Sequence, residues 1–132
     1  MKSSIDFQAH TQFHPMLPRC SDKESWEEIY LSKKQLEDKY DLDIYSFAFP
    51  NGNYSDREIE YVKKAGYKCA LTTDFGFNSF NTDLYRLKRL SMNDTSNINE
   101  LAVRSSGLWG FLKTRNGRKI QLGYTKNVNS KP

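Results

Sequence analysis

The sequence predicts an α/β domain with parallel strands: one observation favours that fold class, and two more indicate a single folded domain. Short apolar segments rich in aromatic and β-branched residues alternate with segments that carry helix-capping signals. A chain of 132 residues has room for one domain with one modest core. Eight Tyr, eight Phe and two Trp argue against a wholly disordered chain, because disordered chains usually contain few aromatic residues.

The N-terminal third of the chain is predicted to form a strand followed by a helix. Ile5–Phe7 are expected to form the strand. Because proline disfavours helix at the residue before it, Pro15 places His14 in an extended or turn conformation. Ser21–Glu24 form a capping box, so a helix is predicted to begin there and to end near Tyr40.

The same order repeats further along the chain. Ile44–Phe49 has the composition of a strand, and a second capping box at Ser55–Glu58 predicts a helix that Gly66 caps at its C-terminus. Tyr67–Thr73 then has the composition of a third strand. Strands that alternate with helices in this way are typically parallel and joined by right-handed crossovers.

The remainder of the chain is richer in loop-forming residues. Within it, Leu84–Leu90 is a candidate strand, and Asn97 is predicted to cap a helix that continues through Leu108. Arg118–Leu122 is interpreted as a final strand or an extended tail.

Charge is distributed unevenly along the chain, whose net charge is +4. Residues 1–100 contain 13 basic and 16 acidic side chains, whereas residues 101–132 contain seven basic and no acidic ones. No aromatic stacking platform or nucleic-acid motif accompanies the basic tail, so we expect a solvated terminus and no nucleic-acid partner. We divide the chain into a domain over residues 1–95 and a C-terminal helix with a basic tail over residues 96–132.

Neither a membrane span nor a leader sequence is predicted. No apolar run approaches the roughly 18 residues that a membrane-spanning helix needs. No apolar run follows Lys2, so we expect no secretory signal in the sequence as written, and hence a cytoplasmic location.

Three loops follow the predicted strands, at the sheet edge where functional groups gather in parallel α/β folds: His10–Pro15, Pro50–Tyr54 and Asp74–Asn78. Two imidazoles close in sequence, His10 and His14, can form part of a site for zinc or another divalent ion. A catalytic zinc usually has three protein ligands, so the spacing alone is also compatible with a structural or incidental role.

The segment Pro50–Gly52 likewise has two interpretations. Most such tripeptides form simple turns. Because this one follows a predicted strand, a backbone N–H presented there can instead stabilise an oxyanion.

Taken together, these segments resemble the polysaccharide deacetylase family, the NodB-homology domain, over residues 5–92. The motif H-[ST]-x-x-H-P stands here as His10–Pro15, and a variant of the motif F-A-Y-P-Y-G stands as Phe47–Gly52. Ala65–Tyr67 and Leu87–Leu90 are similar to later segments of the family in the same order. The resemblance implies a partial or deformed (β/α) barrel of the NodB-homology type.

The resemblance also implies an activity, the metal-dependent hydrolysis of N-acetyl groups on a glycan. In that family two histidines and one aspartate hold a divalent metal, usually zinc, and a second aspartate is the general base for the attacking water. His10 and His14 would be metal ligands, and the backbone N–H of Asn51 would donate to the oxyanion. The substrate-binding residues implied around the turn are Pro50, Gly52 and Tyr54.

The sequence departs from the family in the motif T-F-D-D-G, which supplies the base and the aspartate ligand. Only nine residues precede His10, and no Asp-Asp pair occurs in the chain. The match is therefore to the C-terminal portion of the domain, the metal site is incomplete, and the general base is absent. Neither Asp6 nor Asp74 is predicted to replace them. Four aromatic residues near the motifs, expected in the core rather than as walls of a sugar site, are Phe13, Phe49, Tyr54 and Phe75.

Two functional interpretations from different classes remain. The first is a polysaccharide deacetylase-like hydrolase of carbohydrate metabolism, truncated and with weak or no activity alone, whose partner is an N-acetylated glycan. The alternative is a non-catalytic remnant that binds a glycan or a protein. A partial barrel exposes sheet edges, so self-association or pairing with a missing N-terminal segment is expected.

Overall fold

The computed structural model describes residues 5–90 and 97–106. The helices are α1 (Asp22–Tyr40), α2 (Asp56–Lys64) and α3 (Ile98–Ser105), and the strands are β1 (Ser46–Ala48), β2 (Cys69–Phe75) and β3 (Leu87–Arg89). Short 3₁₀ turns cover Leu17–Arg19, Pro50–Gly52 and Leu84–Arg86.

The three strands form a parallel sheet in the order β1-β2-β3, which confirms the predicted fold class. Phe47 of β1 is in register with Ala70 of β2, and Leu71 of β2 with Leu87 of β3. A fourth segment touches the free side of β1 through a single parallel bridge between Ala9 and Phe47. The residues that follow Ala9, Ala48 and β2 therefore emerge at one edge of the sheet.

Both predicted capping boxes are present at the helix starts. The N–H of Ser21 donates to a Glu24 carboxylate oxygen at 2.9 Å, and the N–H of Glu24 donates to the Ser21 hydroxyl at 3.3 Å. Ser55 makes the corresponding capping box at the start of α2. Gly66, just beyond the end of α2, has a φ of 83°, as expected of a glycine that ends a helix.

The core lies between the sheet and the first two helices. Phe47 is fully buried at its centre, with ring centroids 5.3 Å from Phe49 and 5.2 Å from Tyr67. The other buried apolar residues are Ala9, Leu17, Ile29, Ile44, Ile59, Val62, Ala65 and Ala70. Cys69 is only half-buried.

A buried ionic network joins the start of α2 to the segment before α1. The Glu58 carboxylate has no exposed surface and accepts from Nε of Arg57 at 2.7 Å. The same guanidinium pairs with Asp22 at 2.8 Å and donates to the carbonyls of Leu17 and Cys20 at 2.9 and 3.1 Å. Arg57 thus links the segment that follows the histidine motif to α1 and α2.

The predicted strand at Ile5–Phe7 is wrong, since the main-chain pairing there is limited to the bridge at Ala9. The Gln8 side chain accepts from the N–H groups of Tyr45 and Ser46 at 3.0 and 2.8 Å. These are backbone donors that a longer neighbouring strand would need, so a side chain takes the place of strand pairing.

The C-terminal predictions are only partly covered by the described residues. The candidate strand at 84–90 is confirmed as β3, preceded by a 3₁₀ turn. The helix after Asn97 is confirmed as α3, whereas Leu108 and the segment 118–122 lie outside the described residues. No helix within 5–90 and 97–106 has the length and apolar content to cross a membrane.

Candidate metal and active site

The two histidines lie side by side at the edge of the sheet. Their ring centroids are 4.8 Å apart, and the ring planes meet at 70°. The Nδ1 of His10 lies 2.7 Å from the carbonyl oxygen of Ala48, at the end of β1. Because a carbonyl oxygen only accepts, Nδ1 carries the hydrogen and Nε2 presents its lone pair away from the strand.

The loop between the histidines is not helical, as the proline after His14 predicted. Thr11 and His14 have left-handed backbones, with φ of 65° and 57°. The Thr11 hydroxyl donates to the carbonyl of His10 at 2.5 Å and accepts from the N–H of His14 at 3.0 Å. The two rings, which are four residues apart in sequence, are therefore brought together by a tight loop and not by one face of a helix.

The histidine pair fits part of a zinc site. Neutral imidazole nitrogens are common zinc ligands, and a carbonyl holding the other ring nitrogen is the usual way to fix the orientation of such a ligand. Within residues 5–90 and 97–106, however, no group of three His, Cys, Asp or Glu side chains is placed to hold a metal ion. The described part of the chain thus brings two candidate donors together without a third.

Asp6 and Asp74, the two aspartates considered above as replacements for the missing ones, contact other side chains. Asp6 accepts from the Tyr45 hydroxyl at 2.5 Å and from the Gln8 amide at 2.8 Å. These hydrogen bonds, with that of Tyr45 the stronger, lower the pKa of Asp6. Asp74 faces the Tyr54 hydroxyl at 3.5 Å.

The turn Pro50–Gly52 follows β1 beside the histidine pair. Asn51 and Gly52 both have left-handed backbones, with φ of 53° and 69°. The N–H of Gly52 donates to Phe49 and the N–H of Asn53 to Pro50, at 2.9 and 3.0 Å. No hydrogen bond within the described residues uses the N–H of Asn51. The predicted oxyanion contact of this N–H stays a prediction.

The predicted substrate-binding residues occupy different environments. Pro50 is buried, which favours a part in shaping the turn. Tyr54 is half-buried and stacks on Phe49 at 4.9 Å. Its burial and then the nearby Asp74 carboxylate raise the pKa of the Tyr54 phenol. Of the aromatic residues expected in the core, Phe49 is fully buried, but Phe13 is 83% exposed beside the histidines.

A cavity opens next to the turn, at the ends of β2 and β3. Its volume is about 270 Å³, and it is lined by Thr73, Phe75, Arg89 and Leu90. The Nε of Arg89 donates to the carbonyl of Thr72 at 2.8 Å, which holds this side chain across the sheet edge. An aromatic ring and a fixed guanidinium are suitable contacts for a polar ligand such as a sugar.

Sequence reasoning missed one side chain that contacts the histidine loop. Glu28, on α1, accepts from the N–H groups of Gln12 and Phe13 at 2.8 and 3.0 Å. One feature of the sequence indicates this contact, the position of Glu28 on the helix. Glu28 lies next to Ile29 and three residues from Ser25, both of which are buried. An acidic side chain on the inward part of a helix needs a partner.

The sequence of this chain is similar to one known protein family. The family model described as polysaccharide deacetylase matches residues 1–70, more than half of the chain. A search of the curated proteins found no match.

Solved structures of deacetylases share the fold. The deacetylase PplD of Streptococcus pyogenes, in complex with acetate, superposes with a TM-score of 0.69 and 28% identity over 73% of this chain. The polysaccharide deacetylase BC0361 of Bacillus cereus gives 0.66 and 29% over 74%. This chain spans only 42% and 31% of the length of those two proteins. By its sequence match and its fold, the chain belongs to the polysaccharide deacetylase family.

Proposed function

We propose that this chain contributes part of a polysaccharide deacetylase site that hydrolyses N-acetyl groups on a glycan. The observation that carries the proposal is the pair of adjacent imidazoles, 4.8 Å apart, with His10 tied to Ala48 two residues before the Pro50–Gly52 turn. This arrangement brings candidate metal ligands and a candidate oxyanion donor to one sheet edge.

In this proposal His10 and His14 supply two ligands of a divalent metal, most simply zinc. When bound, the metal supplies Lewis-acid polarisation of the acetamide carbonyl. The N–H of Asn51 donates to the carbonyl oxygen as negative charge develops on it. Gly52, with its positive φ, allows the turn that presents this N–H.

The remaining ligand and the general base are proposed to come from a polypeptide segment outside this sequence. Two facts support this: the chain has no Asp-Asp pair, and it spans under half of the length of its structural relatives. Loss of a general base typically lowers the rate by roughly 10²–10⁴-fold, so the chain alone should have weak or no activity.

The test is zinc titration by calorimetry, followed by an acetate-release assay on N-acetylglucosamine oligomers. The wild-type chain should bind zinc, and the double variant His10→Ala/His14→Ala should not. Acetate release should be near background for the chain alone and should rise when the missing segment of a relative is added in trans. Equal zinc affinity of the wild type and the double variant would refute the role of the histidines.

A second candidate function is a non-catalytic module that binds a glycan or a protein. The cavity lined by Phe75 and Arg89 offers a place for a sugar. Binding of the same oligomers with no zinc binding and no acetate release, even in trans, would support this alternative.

A further inference from the structure

The loop that carries the two histidines is anchored from α1 by one carboxylate. Oε2 of Glu28 accepts from the N–H of Gln12 at 2.8 Å and from the N–H of Phe13 at 3.0 Å. These two peptide groups lie between His10 and His14. A single oxygen that accepts from two successive N–H groups fixes the orientation of both peptide planes.

The rest of the loop cannot fix that orientation by itself. Thr11 and His14 both have positive φ, a conformation that non-glycine residues adopt at a cost. The hydroxyl of Thr11 bridges the main chain of the two histidines, but it leaves the N–H groups of Gln12 and Phe13 to another acceptor. Glu28 is the acceptor that completes the loop.

Glu28 therefore controls one of the two rings more than the other. His10 has its own anchor, because its Nδ1 donates to Ala48. For the His14 ring, no hydrogen bond is found within the described residues, so its position follows from the backbone of the loop. Removing Glu28 should thus leave the His10 ring in place and release the His14 ring.

We propose that Glu28 is a positioning residue that holds the His14 imidazole beside that of His10 and thereby sets the metal affinity of the pair. The inference rests on the proposed function, in which the two rings are ligands. In this proposal Glu28 acts through the peptide groups of Gln12 and Phe13 and not as a metal ligand or a substrate contact.

The experiment compares Glu28→Ala with Glu28→Gln, which keeps an oxygen acceptor, and with Glu27→Ala as the matched control. Glu27 is the preceding residue on α1, and within residues 5–90 and 97–106 its side chain makes one ion pair, an exposed one with Lys23 at 3.8 Å. Zinc affinity is measured by calorimetry and thermal stability by circular dichroism. Glu28→Ala should weaken zinc binding by about 10–100-fold, the usual effect of removing a group that orients a ligand.

The control variants separate positioning from stability. Glu28→Gln should restore most of the affinity, and Glu27→Ala should leave it unchanged. Should Glu28→Ala fail to fold, Glu28→Met takes its place, because it preserves side-chain length without an oxygen acceptor. Unchanged zinc affinity in Glu28→Ala, or an equal loss in Glu27→Ala, would overturn the inference.

A second readout needs no metal and keeps the two proposals distinguishable. In the metal-free protein, nuclear Overhauser contacts between the rings of His10 and His14 should be present in the wild type and in Glu28→Gln, and lost in Glu28→Ala. If the wild type binds no zinc, the proposed function fails while these contacts still decide the role of Glu28. Persistence of the contacts in Glu28→Ala would show that Glu28 does not position the ring.

Discussion

Gly52 lies directly against the side chain of Thr73. A Cβ added to Gly52 would be 1.9 Å from the Thr73 hydroxyl oxygen and 2.7 Å from its Cβ. The same hydroxyl donates to the carbonyl of Asn51 at 3.4 Å. The turn that presents the Asn51 N–H therefore packs directly against Thr73 of β2, and its position relative to the sheet depends on this contact.

The first prediction concerns Gly52→Ala. The added methyl group cannot be accommodated unless Thr73 or the turn shifts, and the positive φ adds strain. Gly66→Ala is the matched control, because Gly66 also has a positive φ but has nothing within 4 Å of the added Cβ. We expect a loss of about 1 kcal/mol for Gly66→Ala and roughly 1–3 kcal/mol more for Gly52→Ala, measured by urea unfolding. Equal losses would show that the contact with Thr73 is relieved without cost.

The second prediction concerns the buried carboxylate of Glu58. Arg57→Ala removes its cationic partner and also frees the carbonyls of Leu17 and Cys20. Removing one partner of a buried ion pair is strongly destabilising, so we expect a loss of about 3 kcal/mol in the free energy of unfolding.

The control for this prediction is Lys23→Ala, which breaks an exposed ion pair on α1 with Glu27. Such pairs contribute less than about 1 kcal/mol. Both variants are compared by urea unfolding at neutral pH. A loss in Arg57→Ala no larger than that in Lys23→Ala would contradict the importance of the buried network.

The third prediction concerns pH. The Tyr67 hydroxyl donates to the carbonyl of Ile29 at 2.9 Å, and burial raises the pKa of this phenol well above its usual value near 10. The folded state therefore keeps a proton that the unfolded state releases above about pH 10. Stability from this group is fully present below that pH and falls as the pH rises, by at most about 1.4 kcal/mol per unit.

Tyr67→Phe tests this dependence. The variant should lose about 1 kcal/mol at neutral pH, because the hydrogen bond is gone, and should unfold less steeply with pH above 10 than the wild type. Unfolding is followed by circular dichroism between pH 8 and about 12. Tyr40→Phe, which removes an exposed phenol, is the control. If the stability of Tyr67→Phe and that of Tyr40→Phe fall equally steeply with alkaline pH, the buried Tyr67 phenol is not the source of this pH dependence.

The fourth prediction compares two phenylalanines of the motifs. Phe13 is 83% exposed, so Phe13→Ala should change the free energy of unfolding by no more than about 0.5 kcal/mol. Phe49 is fully buried between Phe47 and Tyr54, so Phe49→Ala should cost about 3–5 kcal/mol. Thermal unfolding of the two variants checks this difference. A large loss in Phe13→Ala would mean that its ring packs more closely in solution.

The sequence predicted the elements whose signals are local. The capping boxes at Ser21 and Ser55 mark the starts of α1 and α2, because the serine and the glutamate three residues later bond within one turn. The parallel sheet followed from the alternation of helices and strands. The strand predicted at Ile5–Phe7 is wrong because the N–H groups of Tyr45 and Ser46 donate to the Gln8 side chain and not to a neighbouring main chain. The order of helices and strands along the sequence does not reveal such a contact.

The candidate site was predicted only in part. The histidine motif and the turn at Asn51 are continuous in sequence and could be recognised by their order along the chain. The contacts of Glu28 with the loop and of Thr73 with Gly52 join residues from different elements. Such pairs depend on how a helix is rotated and how far a strand extends, which local patterns do not specify.

The strand order has a consequence for how the domain assembles. From the bridge at Ala9 through β1 and β2 to β3, each strand pairs with the one made just before it. Ala9 and Phe47 are 38 residues apart in sequence and Phe47 and Ala70 are 23 apart, and the entropic cost of closing such loops grows only slowly with their length. Pairing each strand with the preceding one keeps the contact order lower than it would be if the strands were paired out of sequence order. The sheet can therefore grow in the direction of synthesis as the chain leaves the ribosome.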